Sequence, residues 1–357
     1  MAMAAHLEAG TGSCIGDWAA AELRWQRWSE GRASWLELVG SSPQATLYHR
    51  ESWLQLLSRA YGLSLWLATL HHDGAPAAGC VFARSALAGR YVALSFSDTC
   101  PPLARQPQAA RELMAVLVAQ NPSRAYEVRG VGGVERWQTV ECFADWRLNL
   151  DQPLAKLERG LAINFRRNLR RALSQPIGIE RGNSVHLLAR FYGLQVQSRR
   201  RLGLPPQPWR FFNLAREIFA PQENFEVWIA REGGVDVAGA VFVRDRDVIY
   251  YKWGARRPQH RSCANHLLFW NAIEEFSHRA HILDLGRADI RNQGLSRFKA
   301  ELGAAATMLP LCFYPRAPAQ VSAEVLTGVP AILSRIWRRM PLWATKMAGC
   351  VLYRFMG

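Results

Sequence analysis

The chain contains the same hairpin twice. From Trp66 to Arg84 it reads W-L-A, D-G, then A-A-G-C-V-F-A-R; from Trp228 to Arg244 it reads W-I-A, G-G, then V-A-G-A-V-F-V-R. Trp66, Ala68, Gly79, Val81, Phe82 and Arg84 line up with Trp228, Ala230, Gly239, Val241, Phe242 and Arg244, with the second turn shorter by two residues. Amphipathic hairpins share a period-2 alternation but not residue identities, so these matches predict a duplicated unit. Each copy runs on into a third strand and a helix. The fold class that follows is α/β (α+β): two tandem domains, each a mixed twisted sheet flanked by helices, plus a C-terminal amphipathic helical tail.

The boundaries follow from composition. Residues 1–17 are small and polar and read as a disordered N-terminus. Residues 18–150 form the first domain, with a helical or mixed stretch from Trp18 to Val39, a helix over Ser52–Tyr61, and strands over Ser64–His71, Pro76–Arg84 and Tyr91–Ser97. A helix over Gln108–Gln120 and strands over Arg124–Gly130 and Trp146–Leu150 complete it. Asp151-Gln152-Pro153 is the hinge to residues 151–315. This second, catalytic domain opens with a basic helix from Leu154 to Ser174. A strand over Pro176–Arg181, a helix capped by Ser184 and a helix over Trp209–Phe219 follow, then the repeated hairpin. Residues 316–357 form the tail.

With 357 residues, 49% hydrophobic and 20% charged, the chain is globular rather than disordered. Its net charge of +15 favours a polyanionic partner: RNA, an anionic membrane surface or a phosphorylated substrate. The seven cysteines are scattered, with no C-x-x-C pair, which fits a reducing compartment and argues against zinc or a disulfide framework. The N-terminus lacks the basic and apolar regions of a signal peptide, and no apolar run reaches the length of a spanning helix. The expected location is the cytoplasm. In the tail, Ile332, Ile336, Trp337, Trp343, Met347 and Val351 alternate with Arg335, Arg338, Arg339 and Lys346, with Pro341 as a kink. That pattern reads either as a helix on the inner face of the plasma membrane or as a helix packed on the protein.

The densest chemistry lies between Asp247 and Lys299. A β-rich segment ends at Tyr251-Lys252, a basic loop runs straight into a helix, and a second strand delivers Asp284, Gly286, Arg287 and Asp289. A loop entering a helix offers unpaired N–H groups and a positive dipole end to a pyrophosphate. Tyr251 and Lys252 alternate along their strand, so one faces the core and the other the cleft. G-x-S-x-G is absent, and no rival nucleophile constellation appears.

Three meandering strands, a loop into a helix and another strand resemble the GNAT-type acyltransferase core. Gln259-His260-Arg261-Ser262-Cys263-Ala264 stands where that family carries Q/R-x-x-G-x-G/A; Ser262 replaces the first glycine. Two such units in one chain resemble the Fem-type aminoacyltransferases of peptidoglycan precursors and the related double-GNAT enzymes of exopolysaccharide clusters. SFSDTCPPLA (Ser95–Ala104), INFRRNLRRA (Ile163–Ala172), SRRRLGLPPQPWRFF (Ser198–Phe212), YYKWGA (Tyr250–Ala255), DLGRADI (Asp284–Ile290) and FKAELGA (Phe298–Ala304) carry that likeness, over about residues 45–315.

The resemblance implies direct acyl transfer to an amine, without a covalent enzyme intermediate, on a cell-envelope precursor. Lys252, Asp284, Arg287 and Lys299 are the expected catalytic set. Gln259, Arg261, Ser262 and Ala264 are the expected donor-binding set. Asp98, Arg166, Arg167, Arg199, Arg200 and Tyr251 are the expected acceptor- and diphosphate-binding set. No metal and no tightly bound cofactor is expected; the donor is acyl-CoA or aminoacyl-tRNA, so tRNA and a lipid-linked or phosphorylated sugar or peptide are the partners in view. An acyl-CoA enzyme acting on a small molecule, or a non-catalytic scaffold that binds membrane or RNA, are the alternatives.

Overall fold

The computed structural model describes residues 21–86, 88–258, 260, 262–319, 321 and 331–353. Its strands are β1 (Glu22–Arg27), β2 (Leu65–His72), β3 (Ala75–Ser85), β4 (Arg90–Ala93), β5 (Leu103–Ala104), β6 (Tyr126–Arg129), β7 (Gln138–Asn149), β8 (Ile177–Gly182), β9 (Phe225–Glu232), β10 (Val235–Asp245), β11 (Val248–Arg256), β12 (Ile282–Asp289) and β13 (Ala305–Tyr314). The helices used below are α1 (Arg32–Ser41), α2 (Glu51–Tyr61), α3 (Pro107–Gln120), α4 (Leu154–Gly160), α5 (Ile163–Leu173), α6 (Val185–Leu202), α7 (Trp209–Phe219), α8 (Ala264–Phe276) and α9 (Gln293–Glu301). Two more, Ala331–Arg339 and Leu342–Leu352, follow.

All strands join one sheet in the order β1-β2-β3-β4-β6-β13-β7-β12-β11-β10-β9-β8, with β5 off this path on β3. The two halves mirror each other about its centre. Each half's last strand crosses over: β7 pairs with β12 of the second half, and β13 pairs with β6 of the first. The two exchanged strands pair with each other in the middle.

The duplication is real, but its register differs from the sequence match. Both hairpins close through two-residue turns with left-handed φ at both positions, Asp73-Gly74 (+50°, +78°) and Gly233-Gly234 (+57°, +78°), the geometry that follows strand twist. Both break the ladder at the same place, between Leu70 and His71 in one and between Asp236 and Ala238 in the other. With turns superposed, Gly79, Val81, Phe82 and Arg84 remain opposite numbers of Gly239, Val241, Phe242 and Arg244. Trp66, however, pairs with Phe82, whereas Trp228 pairs with Ala240. The first-strand matches therefore slip by two residues, and the turns are equal in length. An even slip keeps each side chain on its own face of the sheet, which is why the pattern survives it.

Three elements fall outside the sequence expectations, the short strand β5 among them. Residues 22–27 form an edge strand within the stretch read as helical or mixed, and β13 was not foreseen. Pro310 argues against a central strand, yet it sits where the β13–β7 register shifts, where the ladder tolerates it. The long basic helix is two helices, α4 and α5. At the break the Ala162 N–H turns to the Glu301 carbonyl (3.0 Å). The Ser184 cap is present: its Oγ accepts from the Leu187 N–H at 3.2 Å.

Apolar layers cover both faces of the sheet. On one face α1, α2, α6 and α7 bury Trp35, Trp53, Phe191 and Phe212 in a single cluster shared by the two halves. On the other, α5 and α8 cover the second half, and α3 covers the first. No described helix is long and apolar enough to cross a membrane.

Candidate active site

Within each half, one pair of parallel strands parts early. β11 and β12 pair only through Val248↔Ile282, Ile249↔Leu283 and Tyr250↔Asp284. Beyond that point Lys252 stands on one side of the gap and Gly286 on the other. Asp98, carried by the loop after β4, reaches into it from the first half.

Lys252 Nζ lies 2.7 Å from Asp98 Oδ2 and 2.9 Å from the Tyr48 hydroxyl, and Tyr48 donates to the same Oδ2 at 2.5 Å. The ammonium also lies over the rings of Tyr48 (4.5 Å) and Trp53 (5.0 Å). The Lys252 side chain is 4% exposed and that of Asp98 28%, so the carboxylate is the face of this group that a ligand can meet. Burial works to raise the Asp98 carboxyl, but Lys252 and Arg287 outweigh it and hold it well below the usual range. Tyr48 is pushed well up, first by burial and then by Asp98, so it stays a neutral donor.

Gly286 is where the second half makes room for this carboxylate. Its φ is +70°, and a Cβ there would sit 3.2 Å from Asp98 Oδ2. Lys299, buried on α9, donates to the carbonyls of Gly286 (2.8 Å) and Arg287 (3.2 Å). Burial brings its ammonium down to about 8. Arg287 lies over Phe143 at 4.8 Å; its Nη1 is buried and meets no acceptor among the described residues. Burial, with Arg129 adding repulsion, lowers it to about 10. It thus presents a charged, desolvated N–H with nothing to bind, a disposition suited to a developing oxyanion or a phosphate.

Asp284 is held by partners from the sheet. It accepts from the Gly286 N–H (2.8 Å) and from Arg147 (3.2 Å), and Arg147 also reaches Asp145 (3.1 Å). Burial, reinforced by Asp145, raises Asp284 to about 7. The first half holds a matching pair: Glu127, buried, bonds Arg129 (2.7 Å), which donates to the Ser97 carbonyl (2.9 Å) at the base of the Asp98 loop.

The structure thus brings Lys252, Asp284, Arg287, Lys299 and Asp98 into one polar centre between the halves. Sequence reasoning missed Tyr48, Asp145 and Arg147, which lie on elements with no motif of their own. Tyr251 points to the other face, against Phe242 and Phe269. Arg199 and Arg200 hold the C-terminal helices, through the Tyr353 hydroxyl (3.0 Å) and the Met340 carbonyl (3.2 Å). Arg166 and the exposed Arg167 lie on α5, beside the start of α8, where Phe165 packs on His266 (4.8 Å). Gln259 and Arg261 lie outside the described residues, as do residues 1–17. Ser262 Oγ accepts from the Ala264 N–H (3.1 Å), and His260 pairs with Glu232 (2.7 Å). A cavity of about 650 Å³ lined by Leu150–Leu154, Asp247 and Ser277–His281 touches none of the predicted site residues. Among the described residues no cluster could hold a metal ion.

Residues 161–300, spanning α5 to α9, match the family model for the acetyltransferase (GNAT) domain. That segment carries the GNAT acetyltransferase domain. Solved structures extend the likeness of fold over both halves of the chain. FemX matches with a TM-score of 0.57 at 13% identity, over 82% of this chain and 96% of its own. A tandem GNAT protein from the clavulanic acid biosynthesis pathway matches with a TM-score of 0.51 at 11% identity, over 83% and 100%. The C-terminal domain of a putative lysylphosphatidylglycerol synthetase from Agrobacterium fabrum matches with a TM-score of 0.52 at 10% identity, over 79% and 93%. At these identities the likeness is one of fold. No curated protein sequence matches significantly.

Proposed function

We propose that this protein transfers an acyl or aminoacyl group to an amine of a cell-envelope precursor, a peptidoglycan or exopolysaccharide intermediate, at the centre between its halves. The observation that carries this reading is the partly exposed Asp98 carboxylate, ionised by Lys252, set beside the unengaged N–H of Arg287. Asp98 accepts a hydrogen bond from the acceptor amine and aims its lone pair. Arg287 faces the carbonyl oxygen that becomes an oxyanion when the amine adds to the donor carbonyl. The C–N bond forms, the bond from carbonyl to leaving sulfur or oxygen breaks, and the amine's proton leaves with the thiol or hydroxyl released. Tyr48, Lys252 and Lys299 hold these groups in place.

The donor approaches through the start of α8. The N–H groups of that first turn and the dipole of the helix suit a pyrophosphate. Ser262 does not close the site, because its hydroxyl can turn from the Ala264 N–H and donate to a phosphate oxygen. Arg166 and Arg167 lie beside it. That disposition serves acyl-CoA directly; an aminoacyl-tRNA would use the same carbonyl site with its backbone along α5.

The test is a binding comparison between acetyl-CoA and charged tRNA at near-physiological salt, followed by transfer to an amino sugar. Saturable coenzyme A binding lost on Ser262→Tyr supports the thioester donor, and selective binding of charged tRNA supports the ester donor. Transfer by wild-type protein that persists in Asp98→Asn would overturn the assignment of the site.

A further inference from the structure

The two C-terminal helices are fixed to the protein by one face and leave the other bare. Ala331–Arg339 and Leu342–Leu352 both lie against α6, and Pro341 breaks the tail between them. Trp337, Thr345 and Gly349 face inward; a Cβ at Gly349 would collide with the Pro206 carbonyl. Tyr353 closes the attachment by stacking on Tyr61 (5.6 Å) and Phe96 (5.5 Å). The tail therefore has a fixed orientation.

Its outer face is apolar. Trp343 is 71% exposed, Met347 65% and Val351 58%, and their spacing of four puts them along one side of the last helix. Ile336 (54%) is bare on the preceding helix. Exposed Arg335, Arg338, Arg339 and Lys346 accompany them, and neither helix contains an acidic residue. A self-pairing contact would set these cations against their own copies, which disfavours a second chain as the occupant. Large apolar side chains among cations of one sign are what an anionic lipid–water interface takes up.

We infer that this face docks on an anionic membrane surface, with Trp343, Met347 and Val351 entering the headgroup layer and the arginines against lipid phosphates. Docking does not depend on the acyl-transfer reading and can be measured without turnover. Because Tyr353 packs on Phe96, two residues before Asp98, docking orients the molecule with its site at a set distance from the lipid.

The experiment is flotation of the full chain with phosphatidylcholine vesicles, with and without phosphatidylglycerol, at two salt concentrations. Binding should require phosphatidylglycerol and weaken with salt. The double variant Trp343→Ser, Met347→Ser should bind at least about tenfold more weakly. Replacing Arg335, Arg338 and Arg339 by Gln should remove the preference for phosphatidylglycerol. An unchanged melting temperature in both variants separates lost docking from lost folding. Wild-type protein that ignores both vesicles, or variants that bind as tightly as wild type, would overturn the inference. So would a concentration-dependent dimer abolished by the double variant, since it would make the occupant a second copy.

Discussion

Asp98 and Lys252 are 154 residues apart and 2.7 Å apart, one from each repeat, and Tyr48 completes the contact. The polar centre exists only because the two repeats share one sheet.

Asp98→Asn should lower transfer by about a hundredfold or more, since it removes a charged partner from a buried network. Lys252→Arg should not rescue its own site as a conservative change would, because a planar guanidinium cannot occupy the place of a compact ammonium over Tyr48 and Trp53. Steady-state rates with a single amine acceptor check both.

Gly286→Ala is expected to cost about 1–2 kcal/mol in stability, from left-handed φ imposed on a residue with a Cβ. It should reduce activity by more than that loss explains, because the methyl presses on Asp98 at 3.2 Å. Denaturant midpoints and rates measured on the same variant separate the two effects.

Stability should depend on pH through two buried groups of opposite sign. Asp284 is raised from 3.8 to about 7, so its contribution is fullest below pH 4 and is lost as pH rises through 7. His49 is lowered by burial from 6.5 to about 4, so its contribution is present above 6.5 and is lost as pH falls through 4. Between pH 4 and 7, Asp284→Asn should steepen the fall of stability towards acid relative to wild type, and His49→Gln should flatten it. Urea midpoints across that range test the pair.

Co-expressed fragments cut between Asp151 and Gln152 should assemble, while either fragment alone should aggregate or misfold. Each would lack the strand that its partner supplies, leaving β6 or β12 with an open edge. Solubility and gel filtration of the separate and combined fragments decide this.

Much of the architecture was legible in the sequence because hairpins and amphipathic helices write their periods locally. The Ser184 cap and the helix over Trp209–Phe219 are local facts, and they appear as expected. The strand β13 was not legible: its neighbours lie more than a hundred residues away, and Pro310 disguises it. Within the site, D-L-G-R and Lys299 announced themselves by their strand–turn–helix setting. Tyr48 and Arg147 gave no such signal, because their roles arise from packing between halves. The role of Arg199 and Arg200 was masked for the same reason, since a run of arginines looks the same whether it awaits a phosphate or holds a tail.

Crossing last strands are what two copies of one ancestor would exchange across a twofold axis, and such a pair would own two identical centres. Among the described residues the two halves are not equivalent at the position of Lys252. Counting three residues on from the paired positions Tyr91 and Ile249, the counterpart of Lys252 is Leu94, a buried hydrocarbon. The half that carries a hydrocarbon at this position supplies, four residues on, the carboxylate that meets the other half's ammonium.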